Sequence, residues 1–229
     1  MRQSALQVND YALERRGTLA NVAYHPLMDG PVAGSRMRPL VGILLFDGVE
    51  VLDFAGPYEV FSGTEGPDGQ PYVTVVTIGP NETVTARGGL RISPHHLLTD
   101  CPPLDALIVP GGPGADFPTP VQRDHLLPFL RERAAVTPLT ASVCTGAFLL
   151  GRAGLLDGLP VTTNHHALDA LAAEFPAARV EGGKVIDTGR LVTAAGVSSG
   201  IDLALHLMER WFGREARRRA ADGLEGPWS

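Results

Sequence analysis

The run Leu40 to Phe46, LVGILLF, constrains the fold most. It has the length of a strand and carries no polar side chain. Successive residues of a strand face opposite sides. Both faces of this one must therefore be covered, as in a parallel sheet flanked by helices. Asp105 to Pro110, DALIVP, is a second buried run, and Tyr72 to Ile78 reads as a strand by its β-branching. Helical spacing follows in Val121 to Ala135, through Leu126, Leu127, Leu130 and Ala134, then in Leu168 to Phe175 and Ile201 to Phe212. Asp53 is placed just before a helix, with Pro57 in its first turn, and Ser198 or Ser199 is the expected N-cap of the last long helix. Gly88-Gly89 before Leu90 to Ile92, and Asp187-Thr188-Gly189 between two short apolar runs, mark hairpins. The alternation predicts an α/β fold: one domain, a doubly wound, mostly parallel sheet with helices on both faces. That domain is expected over residues 39–213, after an N-terminal extension (1–38) and before a C-terminal helix end and tail (214–229).

Several function classes are excluded by composition. At 44% hydrophobic residues over 229, the chain can bury a core and is not disordered overall. Its net charge is −6, with no basic cluster interleaved with aromatics, so nucleic acid is not an expected partner. Arg214 to Arg219 read as the solvated face of a last helix. Cys101 and Cys144 are too few for a disulfide framework and have no zinc spacing, so neither metal nor cofactor is expected. No apolar run reaches the ~18 residues of a membrane span, and the N-terminus has no signal pattern. The expectation is a soluble cytoplasmic protein acting on a small molecule. Residues 1–38 show no clear period. A tail, an arm over a partner, or upstream sequence with the true start at Met37 all fit, and the chemistry is expected not to need them.

Leu139 to Gly151, LTASVCTGAFLLG, runs from a strand into a helix through Cys144. Ser142 and Gly146 lie two positions either side of the cysteine. This is the pattern of a nucleophile elbow, with Cys in place of Ser. The tight turn needs small neighbours and lifts the nucleophile out of the sheet. The helix N-terminus behind it is expected to lower the thiol pKa. Cys101, before Pro102-Pro103, has no such helix and is expected to be inert.

Sites in such sheets lie beyond the carboxyl ends of the strands. Three loops meet that description. They deliver Asp53, the pair Gly111-Gly112, and Cys144-Thr145. A carboxyl, a thiol and glycine N–H groups suit acyl-transfer or hydration chemistry. A carboxyl beside a thiolate is expected to hold a proton to donate. Gly111, Gly112, Asn164 and His165 are the candidates for oxyanion or substrate binding. His165 and His166 follow a strand end near the elbow, so either could reach the pocket, though adjacent histidines usually serve structure.

GILLFDGVEVLDFAGPYEVF, DCPPLDALIVPGG, TASVCTGAFLLGRAGLLDG, VTTNHHALDAL and VTAAGVSSGIDLALHL together resemble the ThiJ/PfpI superfamily, the class I glutamine amidotransferase-like fold, over about residues 39–213. Within it the chain is most similar to cyclohexyl-isocyanide hydratases and to the ligand domains of some AraC-type regulators. The resemblance implies a nucleophilic Cys144, a carboxylate partner at Asp53 in LDFAGP, a supporting Thr145, no cofactor and a homodimer. The implied reaction is hydration of an isocyanide to the N-formamide. Glyoxalase or deglycase chemistry on dicarbonyls would use the same thiolate. A redox-sensing or ligand-binding module is the non-enzymatic alternative. Many members carry a histidine twenty residues after the cysteine, where this chain has Asn164, which puts a Cys–His dyad in doubt. Too few residues follow the last helix to be expected to form a DNA-binding domain.

Overall fold

The structure, a computed structural model, describes residues 38–116 and 119–228. The expectations for residues 1–37 lie outside it. β1 (Leu40–Leu44) is buried along its whole length, as its apolar sequence requires. It leads into α1 (Val51–Gly63) and β2 (Thr74–Gly79). A small hairpin of β3 (Val84–Thr85) and β4 (Arg91–Ile92) turns through Arg87–Gly89. Then come β5 (His96–Leu97), β6 (Ala106–Val109), α2 (Pro113–Asp116) and α3 (Pro120–Val136). The elbow joins β7 (Leu139–Val143) to α4 (Gly146–Arg152). β8 (Pro160–Val161), α5 (Leu168–Glu174), β9 (Arg179–Val180), β10 (Val185–Asp187) and β11 (Leu191–Ala194) follow. The chain closes with α6 (Ser199–Phe212) and α7 (Arg214–Gly223).

Among the described residues, seven strands form the central sheet in the order β10-β11-β7-β6-β1-β2-β5. Every pair in it is parallel except β10 with β11. Helices α1, α6 and α7 pack together, as do α2, α3 and α4, so the buried strands are flanked by helices as predicted. Ile43, Leu44, Phe46, Leu107 and Ile108 are fully buried between them. The neighbours of β1 are β2 on one side and β6 on the other. The chain thus reverses its winding direction across β1 and β6, and a crevice opens at their carboxyl ends. The site sits there.

Some local expectations are corrected. Asp53 is the third residue of α1, which begins at Val51 rather than after it. Pro57 lies inside that helix and has no N–H to offer it. Gly200, at the start of α6, packs against the Asp53 carbonyl and the proline ring. Ser198 occupies the N-cap of α6 but makes no capping bond, because its backbone is already helical, at φ −69° and ψ −16°. Arg214–Gly223 forms a distinct helix. Its Ala216, Ala220 and Ala221 are buried, and Arg218 and Arg219 pair with Glu215.

Candidate active site

Cys144 sits at φ +56°, in the left-handed region that a residue with a Cβ rarely adopts. Such strain costs on the order of 1–3 kcal/mol and persists only where surroundings impose it. Here they do so from both sides. The Cys144 N–H is shared between the carbonyls of Ala194 (3.1 Å) and Ala195 (2.9 Å). Its own carbonyl accepts from Thr163 Oγ1 at 2.7 Å. Gly146 must be small: a Cβ there would lie 2.1 Å from the Val109 carbonyl oxygen. Buried Ser142 fits beneath the turn. The elbow therefore has the build its sequence predicts.

Three strand ends, those of β1, β6 and β7, bring the predicted partners together. The Asp53 side chain is fully buried, and its Oδ2 accepts from the Gly111 N–H at 2.9 Å. The Gly112 N–H donates to Thr145 Oγ1 at 3.0 Å. The sequence reading held both glycine N–H groups available to a reacting oxygen. In the structure both are engaged, one by the Asp53 carboxyl and the other by the Thr145 hydroxyl. Asn164 reaches the sulfur, with Nδ2 3.5 Å from Sγ. Its Oδ1 accepts from the His166 N–H at 3.0 Å, which aims the amide nitrogen at the thiol. Gly196 leaves room for that amide, since a Cβ there would stand 2.4 Å from Nδ2. His165 and His166 are exposed, with their rings 3.7 Å apart, and it is Asn164 that meets the sulfur.

The thiol pKa runs against expectation. Burial pushes the Cys144 thiol up from its ordinary range, and the neighbouring Asp53 charge pushes it further. The Asn164 amide and the N–H groups of Val197 and Thr145 pull it down without prevailing. The N-terminus of a seven-residue helix is too weak to offset desolvation and an adjacent carboxylate. Cys101 is also raised, by burial first, and its Sγ bonds the Pro102 carbonyl. Sequence reasoning missed Val197. It is β-branched yet takes φ +41°, which brings its N–H to the sulfur, and nothing local in VSSG signals that conformation. Thr163 could have been suspected from its place beside Asn164.

Among the described residues, no group of three His, Cys, Asp or Glu side chains could hold a metal ion, and no helix is long and apolar enough to cross a membrane. A cavity of about 510 Å³ between Asp47, Leu97, Leu98 and His125 includes none of the residues above.

Residues 40–210 match the DJ-1/PfpI family. Isonitrile hydratase of Pseudomonas putida is 39% identical over 174 residues, 76% of this chain and 72% of the relative. The HTH-type transcriptional regulator GbdR of Pseudomonas aeruginosa is 32% identical over 76% of this chain, but the match spans only 47% of that regulator. Among solved structures, a ThiJ/PfpI family protein from Pseudomonas syringae superposes with a TM-score of 0.72 at 26% identity, covering 89% of this chain and 84% of the other. Schizosaccharomyces pombe DJ-1, at 17% identity and a TM-score of 0.66, shares the fold.

Proposed function

The chain belongs to the DJ-1/PfpI family, and we propose that within it this protein is a cysteine-dependent hydratase converting an isocyanide, R–NC, to the N-formamide, R–NH–CHO. One observation carries the reading: a fully buried aspartate is held on the same glycine loop that fixes the residue after the elbow cysteine. Two adjacent negative charges oppose one another there, so the pair keeps one proton between thiol and carboxyl. In the reactive form the sulfur is the thiolate and Asp53 carries the proton.

The thiolate adds to the terminal isocyanide carbon, and the Asp53 proton passes to that carbon, giving the thioimidate R–N=CH–S–Cys144. Water adds to the same carbon, one of its protons going to nitrogen. Collapse of the adduct expels the thiolate, forms the C=O bond and returns the second water proton to Asp53. Thr145 holds the Gly112 loop in place, and the Asn164 amide stabilises negative charge on sulfur. The balance is R–NC plus H₂O to R–NH–CHO, with no cofactor.

Parallel assays on an isocyanide panel and on methylglyoxal test this reading. The expected result is formamide production with turnover on isocyanides well above that on methylglyoxal. The reverse order replaces the hydratase with a glyoxalase- or deglycase-type enzyme. The similarity to GbdR favours a ligand-binding module as the second reading, and it prevails if neither substrate turns over.

The family resemblance also supports a homodimer. Leu52 beside Asp53 and Val197 beside the sulfur leave apolar surface exposed, at 39% and 36%. Light scattering at micromolar concentration should give about twice the 24.2 kDa chain mass, and a mass of one chain overturns the dimer.

A further inference from the structure

The β3–β4 hairpin is fastened to the segment that enters α1. Gly48 N–H donates to the Thr85 carbonyl at 2.8 Å, and Arg87 N–H to the Val49 carbonyl at 2.9 Å. This docking sets the Arg87 guanidinium on Glu50, with Nη1 2.5 Å from Oε2. Glu50 in turn donates its N–H to the Gly111 carbonyl at 2.8 Å, and Gly111 holds Asp53. The hydrogen-bonded path from Arg87 therefore ends on the carboxyl partner of Cys144. The Glu50 side chain is largely covered, at 16% exposure, where an unpaired carboxylate would act on its surroundings at reduced dielectric.

We propose that Arg87 is a positioning residue for the nucleophile: by neutralising Glu50 it keeps a second negative charge from acting on Cys144, and so governs how readily the thiolate forms. The charged and titratable groups on the elements that meet at the elbow include Asp53 on α1, Glu50 before it, Arg87 on the hairpin, and His165 and His166, which follow Asn164 and are exposed. Asp53 already opposes thiolate formation. Glu50 without its partner would do so as well. Electrostatics agree with the placement. The Arg87 guanidinium is held charged first by its hydrogen bond to Glu50, then by the Glu50 charge, and more weakly by Cys144 itself.

The inference rests on Cys144 being the reactive group, but its test needs no isocyanide. The readout is the rate of iodoacetamide alkylation at Cys144 against pH, mapped by mass on the full-length protein. Arg87→Gln should move the profile up by about 0.3–1 pH unit, a roughly 2–10-fold slower rate at a fixed pH below the midpoint. Glu50→Gln should move it down, because Arg87 then stands alone. The double variant should lie near the wild type, and Arg87→Lys should stay close to it. A merely structural role would not displace the two single variants in opposite directions. An unmoved Arg87→Gln profile, or single variants displaced the same way, overturns the proposal. Hydratase assays on the same samples are separate, so failure of the substrate reading leaves this result standing on its own.

Discussion

Cys144→Ser should lower isocyanide turnover on the order of 10⁶-fold, the scale of losing the nucleophile from an enzyme that works by covalent catalysis. Serine fits the turn. The φ of +56° is imposed by bonds on the Cys144 backbone, its N–H to the Ala194 and Ala195 carbonyls and its carbonyl from the Thr163 hydroxyl, that the substitution leaves in place, so circular dichroism and the melting curve should hardly change. What is lost is an ionisable nucleophile, since a hydroxyl has no thiolate to offer and Asn164 is no general base for it. Wild-type turnover should fall as pH rises through the raised thiol pKa, because the Cys144–Asp53 pair there loses the one proton that the reaction needs. Cys101→Ser should stay within a few-fold of the wild type. That sulfur is raised by burial, bonded to the Pro102 carbonyl and remote from the elbow. A Cys144→Ser variant keeping more than about one hundredth of the activity would show that the thiol is not the nucleophile.

Much of the fold could be read from the chain, for a physical reason. LVGILLF has no polar face, so only a strand covered on both sides can bury it, and Leu40–Leu44 is such a strand. The elbow was legible because its constraints are steric and local. Gly146 has the Val109 carbonyl against it, and no larger residue fits. The roles of the glycine loop were not legible. The sequence reading offered Gly111 and Gly112 to substrate, and only the meeting of three strand ends shows their N–H groups engaged by Asp53 and Thr145. The thiol pKa was misjudged similarly. The helix start is visible in sequence, whereas the desolvation that outweighs it depends on tertiary packing. Val197 and the Arg87–Glu50 pair lie far from Cys144 in the chain, and no local pattern carries such contacts.

Asp53→Asn should cut isocyanide turnover by about 10²–10⁴-fold, the usual worth of general acid–base assistance. Asparagine has nearly the same shape, and its side-chain oxygen can still accept the Gly111 N–H that Oδ2 accepts now, so the loop should hold. It cannot pass a proton to the isocyanide carbon or take one back from water. Two readouts should then part company. The Asp53 charge opposes ionisation of Cys144, so its removal should leave iodoacetamide alkylation at pH 7 as fast as before or faster, while turnover collapses. A carboxyl that served only to prepare the thiolate would lower both together. Asp53→Glu should also be impaired. Its site is fully closed, and an added methylene must displace either the Gly111 contact or the proton, with overpacking worth about 1–3 kcal/mol. His165→Ala and His166→Ala should stay within a few-fold, since both rings are in solvent and only the backbone of His166 steadies Asn164. An active Asp53→Asn beside a dead histidine variant would move the acid to that histidine and make the enzyme a Cys–His catalyst.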